Sequence, residues 1–275
     1  MKPKIAVTIV LYQQLFSRIP AFEELKRAVE EKKIQLVIYD NSEHEQKNPV
    51  FDEENVLYHH DPKNPGLAAA YNFSLAQLPS DTCCFVTLDQ DTVLTESYVH
   101  ALSEIHFEED VIAAVPMVFD HGKQVSPVYS DDYVNRTFQA VKESGIISER
   151  VMAINSGAAF SFSFLQEIGG FNPVFALDFL DHWLFWKIHE AGKKVEVLPV
   201  RLEHELSVMD YANVTTKRYH SILTAENQFY QKYDHSHWPD HRRQLLLRTF
   251  KQFLTVKNRE IWRLTLRSYI ENWKV

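Results

Sequence analysis

Residues Cys83 to Val93 read CCFVTLDQDTV, and the fold is decided by how this stretch is understood. The run Cys83-Cys84-Phe85-Val86-Thr87-Leu88 is short, almost continuously apolar and β-branched, the pattern of a strand buried on both faces. It stops at Asp89-Gln90-Asp91, the position at a strand's carboxyl end where open α/β sheets bind ligands. Two carboxylates one residue apart repel each other unless a cation or hydrogen-bond donors compensate. A hard divalent ion does this while bridging carboxylates to substrate phosphates. A solvated acidic turn explains the tripeptide alone equally well, so the rest of the chain must decide.

Toward the N-terminus, Ile5–Tyr12 reads as a buried strand and Ala21–Lys33 as a helix with Phe22, Leu25, Ala28 and Val29 on one face. Ile34–Tyr39 returns as a strand and stops at Asp40-Asn41-Ser42, which completes a βαβ unit. Asp40 therefore ends a strand as Asp89 does, although Asp before Asn-Ser is also ordinary turn chemistry. Asn55–His59 is a short strand candidate, and Asp61–Gly66 is dense in turn residues. A small-residue helix follows over Leu67–Leu78. Its first turn suits either an anion at the helix N-terminus or close packing on the sheet.

Toward the C-terminus, Thr95–His106 is a helix, and Val111–Phe119 a strand whose Pro116 predicts an edge or an irregularity. Residues His121–Ser148 are polar and aperiodic, an excursion over the surface. Val151–Ser163 resumes a buried β pattern around Asn155-Ser156-Gly157, and Phe164–Ile168 begins a helix that Gly169-Gly170 stops. Helical character returns at Asp178 and ends before Gly192. Asp178 and Asp181, spaced i, i+3, should share a face near the helix N-terminus. Capping accounts for one of them; beside Trp183 and Trp186, a carboxylate among apolar neighbours suits a tuned general base. Lys193–Val200 is a further strand, followed by Leu202-Glu203-His204-Glu205.

At 275 residues, 45% apolar and 24% charged, the chain has the composition of a globular protein. Its net charge of -8 argues against general nucleic-acid binding. The two cysteines are neighbours within a strand and point to opposite faces, so no disulfide is expected. Gln13 and Gln14 interrupt the first apolar stretch, no cleavage pattern follows, and no run reaches the roughly 20 apolar residues of a spanning helix. A cytoplasmic protein is expected. From about Ser207 the composition shifts to long helical segments, and between Arg242 and Lys274 basic residues outnumber the acids Glu260 and Glu271. Such basic amphipathic helices either seek a membrane surface or a partner, or pack on the domain with a solvated basic face.

Taken in order, the strand ending in Tyr12, Asp40-Asn41-Ser42, NPGLAAAYN (Asn64–Asn72), LDQD (Leu88–Asp91), Asn155-Ser156-Gly157, GGFN (Gly169–Asn172), LDFLDHW (Leu177–Trp183) and His204 resemble the family 2 glycosyltransferases of GT-A fold. The likeness covers roughly residues 4 to 230, and LDQDT with the later D-x-x-D-x-W is most similar to the rhamnosyltransferase branch. The resemblance implies an α/β fold: a GT-A nucleotide-sugar-binding domain over 1–206, its mostly parallel central sheet flanked by helices, with a C-terminal helical extension over 207–275. It implies a donor site of Tyr12, Asp40, Asn64, Gly66, Asp89 and Gln90, with Asp40 accepting from the N–H of a pyrimidine ring. Mg²⁺ or Mn²⁺ would be held by Asp89, Asp91 and His204. Asp181 would be the general base of an inverting displacement, and Asp178 and Trp183 would receive the acceptor sugar.

The substrates implied are dTDP-rhamnose and a hydroxyl of a growing bacterial surface polysaccharide or lipid-linked glycan. The basic C-terminal helices carry a separate expectation, peripheral contact with the anionic inner face of the cell membrane, and a homo-oligomer is a further expected partner. A UDP-hexose or UDP-galactofuranose donor is the alternative within the fold, and a catalytically silent assembly module the alternative outside enzymology. A nucleotidyltransferase would want a glycine-rich basic loop near the first strand, which this sequence lacks. Three departures stand out: Leu11-Tyr12-Gln13 replaces the usual Thr-Tyr-Asn, Lys187 replaces a common arginine, and Glu226-Asn227 replaces a frequent Arg-Asn.

Overall fold

Apolar β-branched segments alternating with amphipathic helices build the sheet in the computed structural model, which describes residues 4–133, 139–204 and 214–271. Strand β1 (Lys4–Leu11) leads through α1 (Phe22–Glu30) to β2 (Ile34–Asp40), and a loop carries the chain to β3 (Val56–His60). Helix α2 (Leu67–Gln77) returns it to β4 (Thr82–Asp89). The two-residue β5 (Thr92–Val93), α3 (Glu96–Glu104) and the long β6 (Val111–Asp120) follow. The polar excursion holds the short strands β7 (Lys123–Ser126), β8 (Val128–Tyr129), β9 (Gly145–Ile147) and β10 (Val151–Met152). The unit closes with β11 (Ala158–Ser161), α4 (Phe162–Glu167), α5 (Leu180–Glu190) and β12 (Lys194–His204).

The main sheet runs β3-β2-β1-β4-β11-β6-β12-β5. Strands β1 to β4 are parallel, β11 is antiparallel to both its neighbours, and β6 and β12 are parallel to each other. The sheet is thus mostly parallel, with both faces covered as the near-continuous apolar strands require. On one face Val86 and Leu88 of β4 pack with Leu25 of α1 and with Tyr98 and Leu102 of α3. On the other, Phe85 meets Tyr71 of α2 and Phe171 at ring separations of 6.3 and 5.8 Å, while Phe160 meets Phe185 of α5 at 5.9 Å. Cys83 is exposed and Cys84 buried, both as free thiols.

Of the two readings of Pro116 the irregularity holds and the edge does not: β6 is flanked by β11 and β12, and the pairing with β12 shifts register between Val197 and Arg201, opposite the proline. Two local expectations change. Residues Val151–Ser163 are two strands in different sheets, because the Asn155-Ser156-Gly157 turn separates them. Helix α5 starts at Leu180, since Phe179 takes a left-handed backbone (φ 63°). Asp178 therefore precedes the helix, and the shared face expected of Asp178 and Asp181 does not form.

Chain contacts divide the protein into two compact units, Met1–Tyr129 with Ala140–Glu205, and Ser130–Gln139 with Leu206–Val275. The boundary expected between 206 and 207 lies outside the described residues. The second unit holds α6 (Thr216–Lys232), α7 (Trp238–Thr255) and α8 (Arg259–Glu271) around Tyr219, Leu223, Leu245 and Ile261. It also buries a polar cluster. Arg248 grips Glu226 with two hydrogen bonds of 2.7 Å, His241 Nδ1 lies 3.0 Å from the Tyr133 hydroxyl, and its Nε2 lies 2.8 Å from Asn227 Oδ1. That set suits a neutral imidazole that donates from Nε2 and accepts at Nδ1.

Burial opposes the charge on Glu226, but Arg248 outweighs it and holds the carboxyl at about 2. Burial likewise lowers His241, to about 4, with Glu226 opposing that shift and Arg248 adding to it. Both groups sit below their unfolded values, so both contribute stability that is complete at neutral pH and lost on acidification. His241 loses its share between its ordinary 6.5 and about 4, and Glu226 between 4.5 and about 2. Thermal unfolding followed from pH 7.5 to 4.5 should therefore show a falling Tm for the helical unit, and His241→Gln should flatten that dependence above pH 5.

Candidate active site

Strand β4 delivers Asp89 to the carboxyl edge of the sheet, and β5 returns at once to pair with the end of β12. The antiparallel register Val93–Glu203 and Thr92–His204 sets the imidazole beside the two acids. One ligand atom from each of Asp89, Asp91 and His204 falls within 4.8 Å of the others. His204 Nδ1 is 3.3 Å from Asp91 Oδ1, yet among the described residues that buried oxygen receives no aligned donor, so the contact is proximity and not a formed hydrogen bond. Ser156 donates to Asp89 Oδ2 at 2.6 Å, and its oxygen lies 3.2 Å from His204 Nδ1, with Thr92 Oγ1 at 3.3 Å.

The turn that carries Ser156 is fixed from several sides. Thr87 Oγ1 donates to the Asn155 carbonyl at 2.7 Å, Gly157 N donates to the Thr87 carbonyl, and Tyr98 OH donates to the Gly157 carbonyl. Gly157 (φ 75°) runs so close to Leu202 that a Cβ would stand 2.8 Å from its Cδ1.

Burial raises the Asp89 carboxyl above its ordinary value; the neighbouring Asp91 and Asp181 push the same way, against Ser156 and His204. A clustered pair of carboxylates, one with an oxygen that no described residue donates to, beside one imidazole is a donor set that a divalent cation completes. Mg²⁺ and Mn²⁺ both suit it, with coordination positions left for water or phosphate oxygens. A cleft of about 460 Å³ opens beside Asp91 and His204, lined also by Gln14, Arg18, Gln90 and Glu203.

Tyr12 and Gln90 stand at the ends of β1 and β4, locked together. Tyr12 N donates to Gln90 Oε1 at 2.8 Å, and Gln90 Nε2 donates back to the Tyr12 carbonyl at 3.3 Å. The Tyr12 ring is 49% exposed, an open platform. Asp40, by contrast, is fully buried and occupied. Ser42 N donates to Oδ1 at 3.0 Å, and Gln46 Nε2 and Tyr58 OH donate to Oδ2 at 2.8 Å each. Gln46 Oε1 in turn accepts from Phe16 N at 2.7 Å, so its carboxamide presents an N–H and a C=O much as a pyrimidine edge does.

Asn64 (φ 49°) and Gly66 (φ 99°, ψ -177°) shape the loop into α2. At the N-terminus of α2, Ala68 N donates to the Ala176 carbonyl. Close packing explains the glycine: a Cβ at Gly66 would lie 2.4 Å from that same carbonyl oxygen. Asn72 ties α2 to the GGFN turn with both ends of its amide, Nδ2 to the Phe171 carbonyl at 2.7 Å and Oδ1 from Phe171 N at 2.8 Å.

Asp181 lies in the first turn of α5, half-buried, with Oδ1 accepting from His182 N at 2.8 Å. It acts electrostatically on Asp89, and both carboxylates act on the buried Tyr71 phenol, whose pKa is raised by burial first and by these two acids next. The Tyr71 hydroxyl has no hydrogen-bond partner among the described residues. Asp178 is half-buried in the turn before the helix. Trp183, expected to offer a ring face to the acceptor sugar, is 7% exposed and belongs to the inward stripe of Leu180, Leu184 and Ile188.

Sequence reasoning passed over the individual roles of Ser156, Thr92, Gln46 and Tyr71. Only the small Asn155-Ser156-Gly157 step offered a signal, and it did not say which acid Ser156 would reach. Glu226, a departure from the resembled pattern, is explained by its buried pair with Arg248.

The glycosyl transferase family 2 sequence pattern matches residues 19–169. Among curated proteins no sequence matches. Among solved structures, the chain superposes on GalNAc-T7, crystallised with UDP, GalNAc and Mn²⁺, with a TM-score of 0.58 and 14% identity. That match covers 84% of this chain and 49% of GalNAc-T7, so the chain spans about half the length of that relative. It superposes on residues 1–349 of S. aureus TarS with a TM-score of 0.57 and 12% identity, covering 98% of this chain and 80% of that one. The fold is GT-A-like: a mostly parallel sheet with flanking helices and a C-terminal helical region.

The left-handed backbone and the 2.4 Å approach at Gly66 give a direct test of the loop. Gly66→Ala should lower stability by roughly 2–4 kcal/mol, the joint cost of backbone strain and overpacking, as read by denaturant unfolding. Gly169→Ala, where nothing lies within 4 Å of the added Cβ, serves as the strain-only comparison and should cost less.

Proposed function

This chain belongs to glycosyl transferase family 2, and we propose that it is a metal-dependent inverting enzyme that transfers rhamnose from dTDP-rhamnose to a glycan hydroxyl. The observation that carries the proposal is the convergence of Asp89, Asp91 and His204 within 4.8 Å, together with the electrostatic coupling of Asp89 to Asp181. The donor sugar rests on the sequence resemblance alone. So does the acceptor, a bacterial surface polysaccharide or lipid-linked glycan.

In this reading Asp89, Asp91 and His204 hold Mg²⁺ or Mn²⁺, and Ser156 orients Asp89 and His204 from behind. The ion, when bound, supplies Lewis-acid neutralisation of the diphosphate leaving group. The exposed Tyr12 ring, braced by Gln90, offers a face to the base, and Asp40 accepts from the ring N–H. Asp181 Oδ1 is engaged by the His182 N–H, which leaves Oδ2 to take the proton of the acceptor hydroxyl as that oxygen attacks the anomeric carbon. One displacement breaks the bond from the anomeric carbon to the diphosphate oxygen and inverts the configuration. Asp178, in the turn before α5, and the nearby Leu177 and Phe179 are left to meet the acceptor in place of Trp183.

Titration calorimetry with dTDP, with and without Mn²⁺, is the primary test. Wild-type binding should require the metal, and Asp91→Asn should abolish that requirement along with most of the affinity. Metal-independent binding that Asp91→Asn leaves intact would exclude the reading. Asp181→Asn should keep nucleotide binding while transfer falls by about 10²–10⁴-fold. A panel of dTDP- and UDP-activated sugars scored for transfer decides the donor; no transfer from any, with function in cells unchanged by Asp181→Asn, would indicate a silent assembly module.

Donor engagement at Asp40 also requires the Gln46 carboxamide to withdraw from Oδ2. Gln46→Ala should then tighten pyrimidine nucleotide binding several-fold in the same calorimetric assay, since one internal competitor is removed, while Asp40→Asn weakens it.

A further inference from the structure

Helices α7 and α8 bury Leu245 and Ile261, which leaves the character of their outer face to the remaining residues. A helix that merely packs on its neighbours turns a polar face to water. Helix α7 does not. Arg243, Leu247, Phe250 and Leu254 recur at spacings of four, three and four, so they form one stripe. That stripe lies opposite the buried His241, Leu245 and Thr249. Phe250 is 61% and Leu254 80% exposed. Phe253, on the flank, packs edge-on against Trp262 of α8 at 5.4 Å, with the Arg259 guanidinium 5.3 Å above its ring.

Charge identifies the occupant. Over Trp238–Glu271 there are eight Lys and Arg residues and three acids, in a chain whose total is -8. Glu260 accepts from Thr216 Oγ1 at 3.0 Å, and Glu271 lies 4.0 Å from Arg267. The third, Asp240, sits in the first turn of α7, away from Leu247–Leu254. Lys251 and Lys257 are exposed beside the apolar stripe. An outward apolar ridge with cationic flanks matches an interface of acyl chains below anionic headgroups. No helix among the described residues is long and apolar enough to cross a membrane, so the contact would be peripheral.

We propose that the α7 stripe Leu247, Phe250 and Leu254, flanked by Arg243 and Lys251, is a docking surface for an anionic lipid bilayer. Leu and Phe side chains enter the headgroup boundary while the cations meet lipid phosphates. This inference is independent of the donor and base assignments, because none of its residues belongs to the proposed catalytic site.

The test is co-sedimentation of the full chain with vesicles of phosphatidylcholine alone or mixed with phosphatidylglycerol, at low and high salt. Binding is expected only to the mixed vesicles and should weaken as salt rises. Leu247→Ser/Phe250→Ser/Leu254→Ser should reduce partitioning by about tenfold or more, and Arg243→Glu/Lys251→Glu should remove the salt-dependent part. Circular dichroism and dTDP titration verify that the variants stay folded; since every substituted side chain is solvent-facing, both readouts should match wild type. Equal partitioning of wild type and the triple variant would overturn the proposal. So would absence of vesicle binding, or a wild-type dimer that the triple variant converts to monomer without any lipid dependence, which would assign the stripe to a second copy of the chain.

Discussion

The pairing of two residues of β5 with the last two of β12 is the constraint on which the site depends. Thr92 and His204 are 112 positions apart in the chain, and their register alone brings an imidazole to the acids that end β4. Without it, Asp89 and Asp91 would be two like charges at a sheet edge, one of them pushed toward its neutral form by burial. The hydroxyl of Ser156, aimed at Asp89, and the nitrogen of His204 offset part of that repulsion. A cation would offset the rest.

Around this centre, side-chain amides and close backbone approaches tie the loops to the sheet. Asn72 clamps the Phe171 backbone at both ends of its amide, and Gly66 lets the loop into α2 lie against the Ala176 carbonyl. Asp40 shows the other side of the same economy of polar groups. A buried carboxylate must be satisfied, and Ser42, Gln46 and Tyr58 satisfy it. Any ligand that reaches Asp40 therefore competes with the protein's own donors, so affinity there is a difference between two well-made arrangements.

The helical unit sorts its charges differently. Glu226 is turned inward to Arg248 and serves packing, while most of the remaining cations stay at the surface beside exposed Leu and Phe. The same segment thus contains a compensated buried ion pair and an outer face whose Leu247, Phe250 and Leu254 are exposed. The first rigidifies a small core; the second is a property of surface chemistry alone.

How much of this was legible beforehand follows from the range of each interaction. The run from Cys83 to Leu88 announced a doubly buried strand, the βαβ opening announced a parallel sheet, and Asp89, Asp91 and Asp40 were recognisable as strand-ending acids, because periodicity and strand termination are local. Pro116 announced an edge or an irregularity because its lost hydrogen bond is a local fact, whereas the register shift in β12 that decides for the irregularity is not. Trp183 looked like a ligand platform for the same reason; its burial among Leu180, Leu184 and Ile188 appears only once α5 has a side to face inward. Ser156, Gln46 and the outward stripe of α7 were decided by tertiary structure alone. Each depends on which groups other segments have already satisfied or covered, and that balance exists only after distant parts of the chain have come into contact.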